Sequence, residues 1–142
     1  NFTTKINLSN FKNNNDVLSG DFLIKKNKNK MTALFIYKDD ELKISKSILR
    51  NPFVDGKLDG TIKFSPFFYY NLDLNLNSLN FTKLYNYFLS LNNDEKQKLY
   101  KVNDKLNGEL NFSVGKIYSK NSLVKSLESR VKFNNGYTNF NI

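Results

Sequence analysis

The sequence contains no cysteine and no histidine among its 142 residues. Without cysteine, it has no disulfide framework and no thiol nucleophile. Without either residue, a Cys/His zinc site, a Ser-His-Asp triad and a Cys-His dyad are all excluded. A run of about 18 apolar residues is also missing, so the sequence predicts no membrane-spanning helix.

Arginine is scarce, although the chain is basic. The sequence has 22 Lys and Arg residues against 13 Asp and Glu residues, for a formal net charge of +9, but its only arginines are Arg50 and Arg130. Proteins that bind nucleic acid usually rely on arginine for bidentate contacts. They also place aromatic rings beside lysines on an exposed face. Here the aromatic residues fall at apolar strand positions, namely Phe64, Phe68, Tyr70 and Phe112. We therefore expect no nucleic-acid partner.

Acidic residues are not grouped as catalysis or metal binding would require. Asp55, Asp59 and Asp73 alternate with lysine and asparagine at polar strand positions, which is typical of a solvated face rather than of a paired acid and base. Residues 39–41 are acidic but lack the spacing of a calcium loop. We therefore predict no catalytic residues, no metal site and no cofactor, and a protein that is not an enzyme.

Apolar residues recur at every second position over most of the chain, and this alternation predicts β-strands with one apolar and one polar face. Two stretches near the start have these apolar faces: Phe2, Thr4, Ile6 and Leu8, then Leu18, Gly20, Phe22 and Ile24. Residues 31–37 are apolar on both faces, as in a strand covered from two sides. In the next stretch, Leu42, Ile44 and Ile48 are expected to share one face.

The clearest strands lie in the middle of the sequence. Residues 54–64 and 68–76 each carry apolar side chains or glycine at even positions. Because only a few residues separate these strands, we predict an antiparallel hairpin. Gly56 and Gly60 fall on the apolar face, where glycine either relieves crowding or lets another group approach the sheet closely.

The period changes near residue 80. An apolar stripe with helical spacing follows, formed by Phe81, Leu84, Tyr85, Phe88 and Leu89, and we predict that this stripe packs on the sheet as a lid or end-cap. Asn80 is the predicted N-cap of this helix. Asn92 and Glu95 are predicted to form the capping box of a second helix. The second helix is expected to carry Leu99, Val102 and Leu106 on one side.

Alternation returns over residues 106–114 and 127–133, and a hairpin turn at 134–136 precedes a last strand. The predicted fold class is mainly β with a small α insert (α+β). We expect an antiparallel meander that forms a curved amphipathic sheet, with a short helical segment near residues 80–105. The whole of 1–142 is predicted to be a single segment, with strands over 2–78, the helical insert at about 80–105, and strands over 106–142.

These strands carry more apolar surface than two short helices can cover. The sheet therefore closes on itself as a sandwich or barrel, or is covered by another part of a longer chain, or is covered by lipid. The sequence begins within a strand-like pattern, without an initiator methionine or a signal peptide. For this reason we expect it to be an excerpt of a longer chain.

Four segments resemble the repeats of AsmA-like envelope proteins, the repeating β-groove family that includes TamB-related members. They cover residues 55–67, 72–81, 106–112 and 131–136. The motifs in them are Gly56-Lys57-Leu58-Asp59-Gly60, Leu72-Asp73-Leu74-Asn75-Leu76, Gly108-Glu109-Leu110-Asn111-Phe112 and Asn135-Gly136. The order of strands, helix pair and strands is also similar to that family.

The resemblance implies part of a β-groove whose concave face is apolar. It implies a periplasmic location and attachment to the bacterial inner membrane through an anchor outside this sequence. It further implies a role in phospholipid transport between the inner and outer membranes and in outer-membrane homeostasis, without catalytic residues. The lipid species, the direction of transfer and the outer-membrane partner do not follow from it.

Under this reading, phospholipid acyl chains are expected to contact a defined set of apolar positions: Leu58, Ile62, Phe64, Tyr70, Leu72, Leu74, Leu76, Leu110 and Phe112. Side chains two residues apart on a strand are separated by about 6.6 Å, so four such positions make a track about 20 Å long. The alternative is a structural or interaction β-domain that packs on the rest of its parent chain and binds no ligand.

Overall fold

Strands make up most of the computed structural model, which describes residues 2–10, 17–100, 107–120, 125–134 and 137–141. The strands are β1 (Phe2–Asn10), β2 (Leu18–Lys26), β3 (Asn29–Lys38), β4 (Glu41–Arg50), β5 (Val54–Lys63), β6 (Tyr69–Asn80), β7 (Gly108–Val114), β8 (Ile117–Tyr118), β9 (Leu127–Asn134) and β10 (Tyr137–Asn141). The helices are α1 (Phe81–Ser90) and α2 (Asn93–Tyr100). The prediction of a mainly β fold with a small α insert is confirmed.

All ten strands belong to one curved, open sheet. Its order is β1-β2-β3-β4-β5-β6-β7-β9-β10, with β8 paired beside the end of β6. Neighbouring strands are antiparallel except that β7 and β8 each run parallel to β6. The predicted antiparallel meander is therefore wrong between β6 and β7. The helices lie in the connection between these two strands, and a parallel pair requires such a crossover.

One face of the sheet is apolar from edge to edge. Paired residues on neighbouring strands point to the same face, so the pairing register defines rows that cross the sheet. One row runs through Leu8, Gly20, Phe35, Ile44, Gly60, Leu72, Leu110 and Val131. Among the described residues that the register places on this face, the only charged one is Lys26, which lies opposite Phe2 at the end of β2. Lys46, in a bulge of β4, has no register partner. We call this surface the apolar face and the opposite one the outer face.

A bulge in β4 is held by two hydrogen bonds to β5. Lys46 has a positive φ of 51°, and the next residue, Ser47, is only 1% exposed. The Ser47 hydroxyl accepts a hydrogen bond from the Leu58 N–H (2.6 Å), and the Ser47 N–H donates to an Asp59 carboxylate oxygen (3.0 Å). The polar side chains of Ser47 and Asp59 therefore satisfy backbone groups where the ladder is interrupted.

This bulge reverses the alternation in the second half of β4. Leu49 is paired with Met31 and Gly56 and so lies on the apolar face, whereas Ile48 is paired with Thr32 on the outer face. The prediction that Ile48 shares a face with Leu42 and Ile44 is wrong. One extra residue in a strand moves every later side chain to the other face.

β3 is also less covered than its sequence predicts. Leu34 and Ile36 lie on the outer face, opposite Asp21 and Ser19, and they are 41% and 46% exposed. No described element packs over them, so the expected cover from two sides is absent in the part of the chain that the structure describes.

Four glycines on the apolar face lie where two neighbouring strands approach each other closely. A Cβ at Gly20, Gly56, Gly60 or Gly108 would meet the backbone of the adjacent strand. At Gly60, which has a φ of +138°, it would lie 2.8 Å from the Leu72 Cα and closer still to the Asn71 carbonyl oxygen. All four positions lie on the apolar face, and from this close approach we infer that the curved sheet bends toward that face, which makes the apolar surface its concave side. The predicted close approach is therefore made by a neighbouring strand.

A small closed core lies at the end of the sheet where the helices begin. Leu76, Leu79 and Val114 are buried there, and five partly buried residues pack against them: Val54, Leu74, Phe112, Ile117 and Leu127. The β8 segment closes this end because Ile117 is paired with Leu79 and the Leu79 N–H donates to the Lys116 carbonyl oxygen (2.9 Å). The rest of the apolar face has no such cover in the described residues.

We predict that Gly60→Ala destabilises the protein by about 1–3 kcal/mol, because alanine at this φ is strained and its methyl group meets the backbone of β6. Gly115→Ala is the matched control, since a Cβ there would lie 3.5 Å from its nearest neighbour. Urea unfolding followed by far-ultraviolet circular dichroism measures both variants. Equal midpoints for the two variants would contradict the proposed close approach.

Candidate functional site

The structure places eight of the nine predicted lipid-contacting residues within strands on the apolar face, in adjacent rows. Leu58, Leu74 and Phe112 form one row across β5, β6 and β7. Leu72 and Leu110 form the next row together with Gly60. Each of these five large side chains is half-buried by its neighbours. The face predicted from the alternation is therefore a real surface, made of strands that are up to 54 residues apart in the chain.

Three of the predicted lipid-contacting residues are not half-buried strand residues of this kind. Leu76 and Tyr70 are 5% and 8% exposed, because Leu76 belongs to the closed core and Tyr70 is enclosed by other rings. They therefore offer a ligand little surface. Phe64 lies just beyond β5, and its backbone N–H donates to the Asp40 carbonyl oxygen (2.9 Å). Phe64 is therefore at the end of the face and not in its centre.

A chain of aromatic rings borders this end of the apolar face. The ring centroids are 6.3 Å apart for Tyr37 and Phe64, 6.2 Å for Phe64 and Phe68, 6.2 Å for Phe68 and Tyr70, and 6.0 Å for Tyr70 and Phe133. Such tilted contacts add to the stabilisation from area burial alone. Sequence reasoning placed Tyr70 and Phe64 in the site but missed Tyr37 and Phe133. These two residues join it only through pairing between strands distant in sequence.

The apolar face becomes more exposed toward β1. Ala33 and Ile44 in the central strands are 3% and 8% exposed, whereas Phe2 and Ile6 in the edge strand are 68% and 62% exposed. Phe22, which is paired with Ile6 and Ala33, links the two regions. The candidate site therefore extends beyond β5–β7 to the first strands. Apolar residues alternate just as regularly in β1 and β2, but the predicted lipid-contacting set includes none of them.

The helices do not cover this face. The predicted stripe is present on α1, but Phe81, Leu84, Tyr85 and Leu89 are exposed and Phe88 is half-buried. The prediction that the stripe packs on the sheet is therefore not met in the described structure. Because α1 begins directly after β6, it leaves at the end of the sheet. Of the predicted second-helix residues, the Leu99 side chain, Val102 and Leu106 lie outside the described residues.

Other residues of α1 make the contacts with the rest of the fold. The Tyr87 ring lies 5.2 Å from the Phe53 ring, measured between centroids, and the Thr82 hydroxyl accepts a hydrogen bond from the Lys120 N–H (3.1 Å). Both predicted caps are confirmed. The Asn80 side chain accepts from the Lys83 N–H (2.9 Å), and Asn92 and Glu95 exchange hydrogen bonds of 2.8 and 3.0 Å.

The outer face of β6, β7 and β9 is a hydrogen-bonded polar layer. Asn111 donates to Asp73 (2.8 Å) and accepts from the Arg130 guanidinium (2.9 Å). The Lys132 ammonium lies 2.8 Å from the Glu109 carboxylate, and this hydrogen bond lowers the pKa of Glu109. The shallow depression here, about 370 Å³, is lined mostly by polar residues, several of which already bond to one another. This arrangement fits a solvated face better than a ligand site.

Two further carboxylates on the outer face are also engaged. Asp55 pairs with Arg50 (2.9 Å), and Asp59 holds the bulge in β4. Within the described ranges, no three Asp or Glu side chains come together in a way that could hold a metal ion.

None of the described helices is long and apolar enough to cross a membrane. The chain has no match among protein-family models, curated proteins or solved structures.

The burial of Tyr70 makes stability depend on pH. Burial raises the pKa of Tyr70 above its ordinary value of 10.0. Above about pH 10, the unfolded chain therefore loses a proton that the native state retains, and stability falls as the pH rises. We predict that Tyr70→Phe makes this alkaline loss shallower. Tyr137→Phe, at an exposed position, should keep the wild-type profile. Urea midpoints measured from pH 8 to 11 test this, and identical profiles for Tyr70→Phe and the wild type would contradict it.

Proposed function

We propose that the concave apolar face binds acyl chains of phospholipid and that the protein is the periplasmic part of an AsmA-like lipid-transport protein of the cell envelope. One observation carries this proposal: the apolar face crosses the whole sheet, and no described element covers it beyond the small core at the helix end. The resemblance of residues 53–142 to the AsmA-like repeats supports the same assignment.

The dimensions of the face suit an extended hydrocarbon chain. The row from Leu8 to Val131 crosses eight strands, and neighbouring strands are about 4.8 Å apart, so the row is about 34 Å long. Apolar contact is not directional and depends mainly on the area removed from water. A surface of this kind would hold many acyl chains equally well and would leave selection of the head group to other parts of the protein.

The distribution of charge is also suited to this role. Lys26 is the only charged residue that the strand register places on the apolar face among the described residues, and the other register-paired lysines of the strands lie on the outer face. An acyl chain on the apolar face would therefore avoid the cost of desolvating charged groups. In this proposal the periplasm is the location and the bacterial inner membrane is the attachment, through an anchor outside this sequence.

The competing function is a structural or interaction domain whose apolar face is permanently covered by another part of the parent chain. The closed core at Leu76, Leu79 and Val114 shows how such a cover works, since β8 excludes water there. The two functions differ in what occupies the remaining face. A mobile lipid should react with a probe placed on the face, whereas a fixed protein cover should exclude lipid from it.

Photo-crosslinking in bacterial cells distinguishes the two functions. A photoreactive amino acid at Leu74, which is half-buried on the apolar face, should give lipid adducts. The same group at Asn75, the next residue and exposed on the outer face, should give none. Adducts at both positions in equal amount, or at neither, would contradict lipid binding, and adducts to protein at Leu74 alone would favour the structural domain. Circular dichroism checks that both labelled chains are folded.

A further inference from the structure

The outer face carries an apolar strip that the sheet does not need for its own packing. Leu34 and Ile36 follow one another on the outer face of β3, and both Leu23 and Ile48 are paired with Thr32 beside them. Leu34, Ile36 and Ile48 are exposed, and Leu23 is half-buried. We call these four residues the outer strip. The β4 bulge adds Ile48 to this strip by turning it outward.

Basic residues outnumber acidic ones around the outer strip, although Asp21 is paired with Leu34. The outer positions of β1–β5 hold eight basic and four acidic residues, whereas those of β6, β7 and β9 hold two basic and three acidic residues. Lys43 is paired with Ile36, and Lys5 is paired with Leu23. The exposed apolar residues and the excess of lysine therefore lie on the same half of the outer face.

A shallow depression of about 380 Å³ adjoins the strip. Its lining holds three lysines and two carboxylates beside Ile36 and Ser65: Lys38, Lys43, Lys63, Asp39 and Glu41. Lys38 and Lys63 have acidic neighbours at 3.7 and 3.4 Å, in Asp39 and Glu41. Lys43 makes no ion pair with any described residue. A phosphate group in this depression would contact the Lys43 ammonium directly. It would compete with Asp39 and Glu41 for the ammonium groups of Lys38 and Lys63.

We propose that the outer face around β2–β4 docks on an anionic lipid membrane. The outer strip would enter the boundary between head groups and acyl chains, and the lysines would contact lipid phosphates. Apolar area and attraction to anionic lipids act together at such interfaces. Because the apolar face is concave, the outer face is convex and meets a planar membrane along its crest. This proposal does not rest on lipid binding by the apolar face.

The absence of tryptophan allows a direct test. In Ile36→Trp, the introduced tryptophan is expected to shift its emission to shorter wavelength on mixing with vesicles of phosphatidylcholine and phosphatidylglycerol, and brominated lipid should quench it. Asn139→Trp is the matched control, because Asn139 is exposed in the same row of the outer face but six strands away, at about 29 Å. It should show neither effect. Vesicles of phosphatidylcholine alone should shift neither emission.

Charge reversal tests the electrostatic part. A lysine near an anionic surface changes partitioning about fivefold, so Lys43→Glu in the Ile36→Trp chain should weaken binding by more than fivefold. Lys125→Glu, at an exposed lysine between β8 and β9, should change binding less than twofold.

The proposal is overturned by equal binding to neutral vesicles, by equal effects of the two lysine variants, or by the absence of any emission shift. Binding of polyglutamate in place of vesicles would also overturn it and would assign the face to an acidic protein. Failure at this face leaves photo-crosslinking at Leu74 unaffected, so the two proposals fail separately.

Discussion

The structure depends on one constraint: a sheet with a continuous apolar face has to remove that face from water with little besides its own strands. Curvature does part of this work, because strands that bend toward the apolar face bring its side chains into mutual contact. Close backbone approach at Gly20, Gly56, Gly60 and Gly108 permits the bend. The result is a face that is buried in places, half-buried over most of its area and exposed at β1. What remains exposed is the feature that any account of function has to explain.

The sequence predicted the local features of this fold well. Alternation of apolar residues depends only on the geometry of a strand, so the faces of β1, β2, β5, β6, β7 and β9 follow from it. The caps at Asn80 and Asn92 are likewise local, since each involves residues three positions apart. The parallel pairing of β6 and β7, the short β8 and the bulge at Lys46 could not be predicted. Each depends on tertiary contacts, and the bulge is held by hydrogen bonds between residues more than ten positions apart.

The candidate site was predictable as a face but not as a list of exposed residues. Leu58, Leu72, Leu74, Leu110 and Phe112 occupy the predicted surface, while Tyr70 and Leu76 are buried by packing that only the folded sheet creates. Aromatic neighbours such as Tyr37 and Phe133 join through long-range pairing. The helices follow the same rule. The spacing of the stripe on α1 correctly predicts a helix, but the surface on which the helix packs is a tertiary property, and α1 contacts Phe53 through Tyr87.

The two faces of the sheet thus differ in the surface that they offer to a partner. The concave one has apolar area almost without charge, and the convex one has a lysine-rich half.

The central claim, that the concave face holds acyl chains, is tested most directly by methyl NMR spectroscopy with fatty acids that carry a nitroxide on the hydrocarbon chain. The nitroxide broadens only those methyl signals that lie close to it. We predict that the methyl groups of Leu58, Leu72, Leu74 and Leu110 on the apolar face are broadened when the spin-labelled fatty acid is added below its aggregation limit, and recover when the nitroxide is reduced. The buried methyl groups of Leu79 and Val114 should be affected less. Uniform broadening over both faces, or none on the apolar face, would contradict the account.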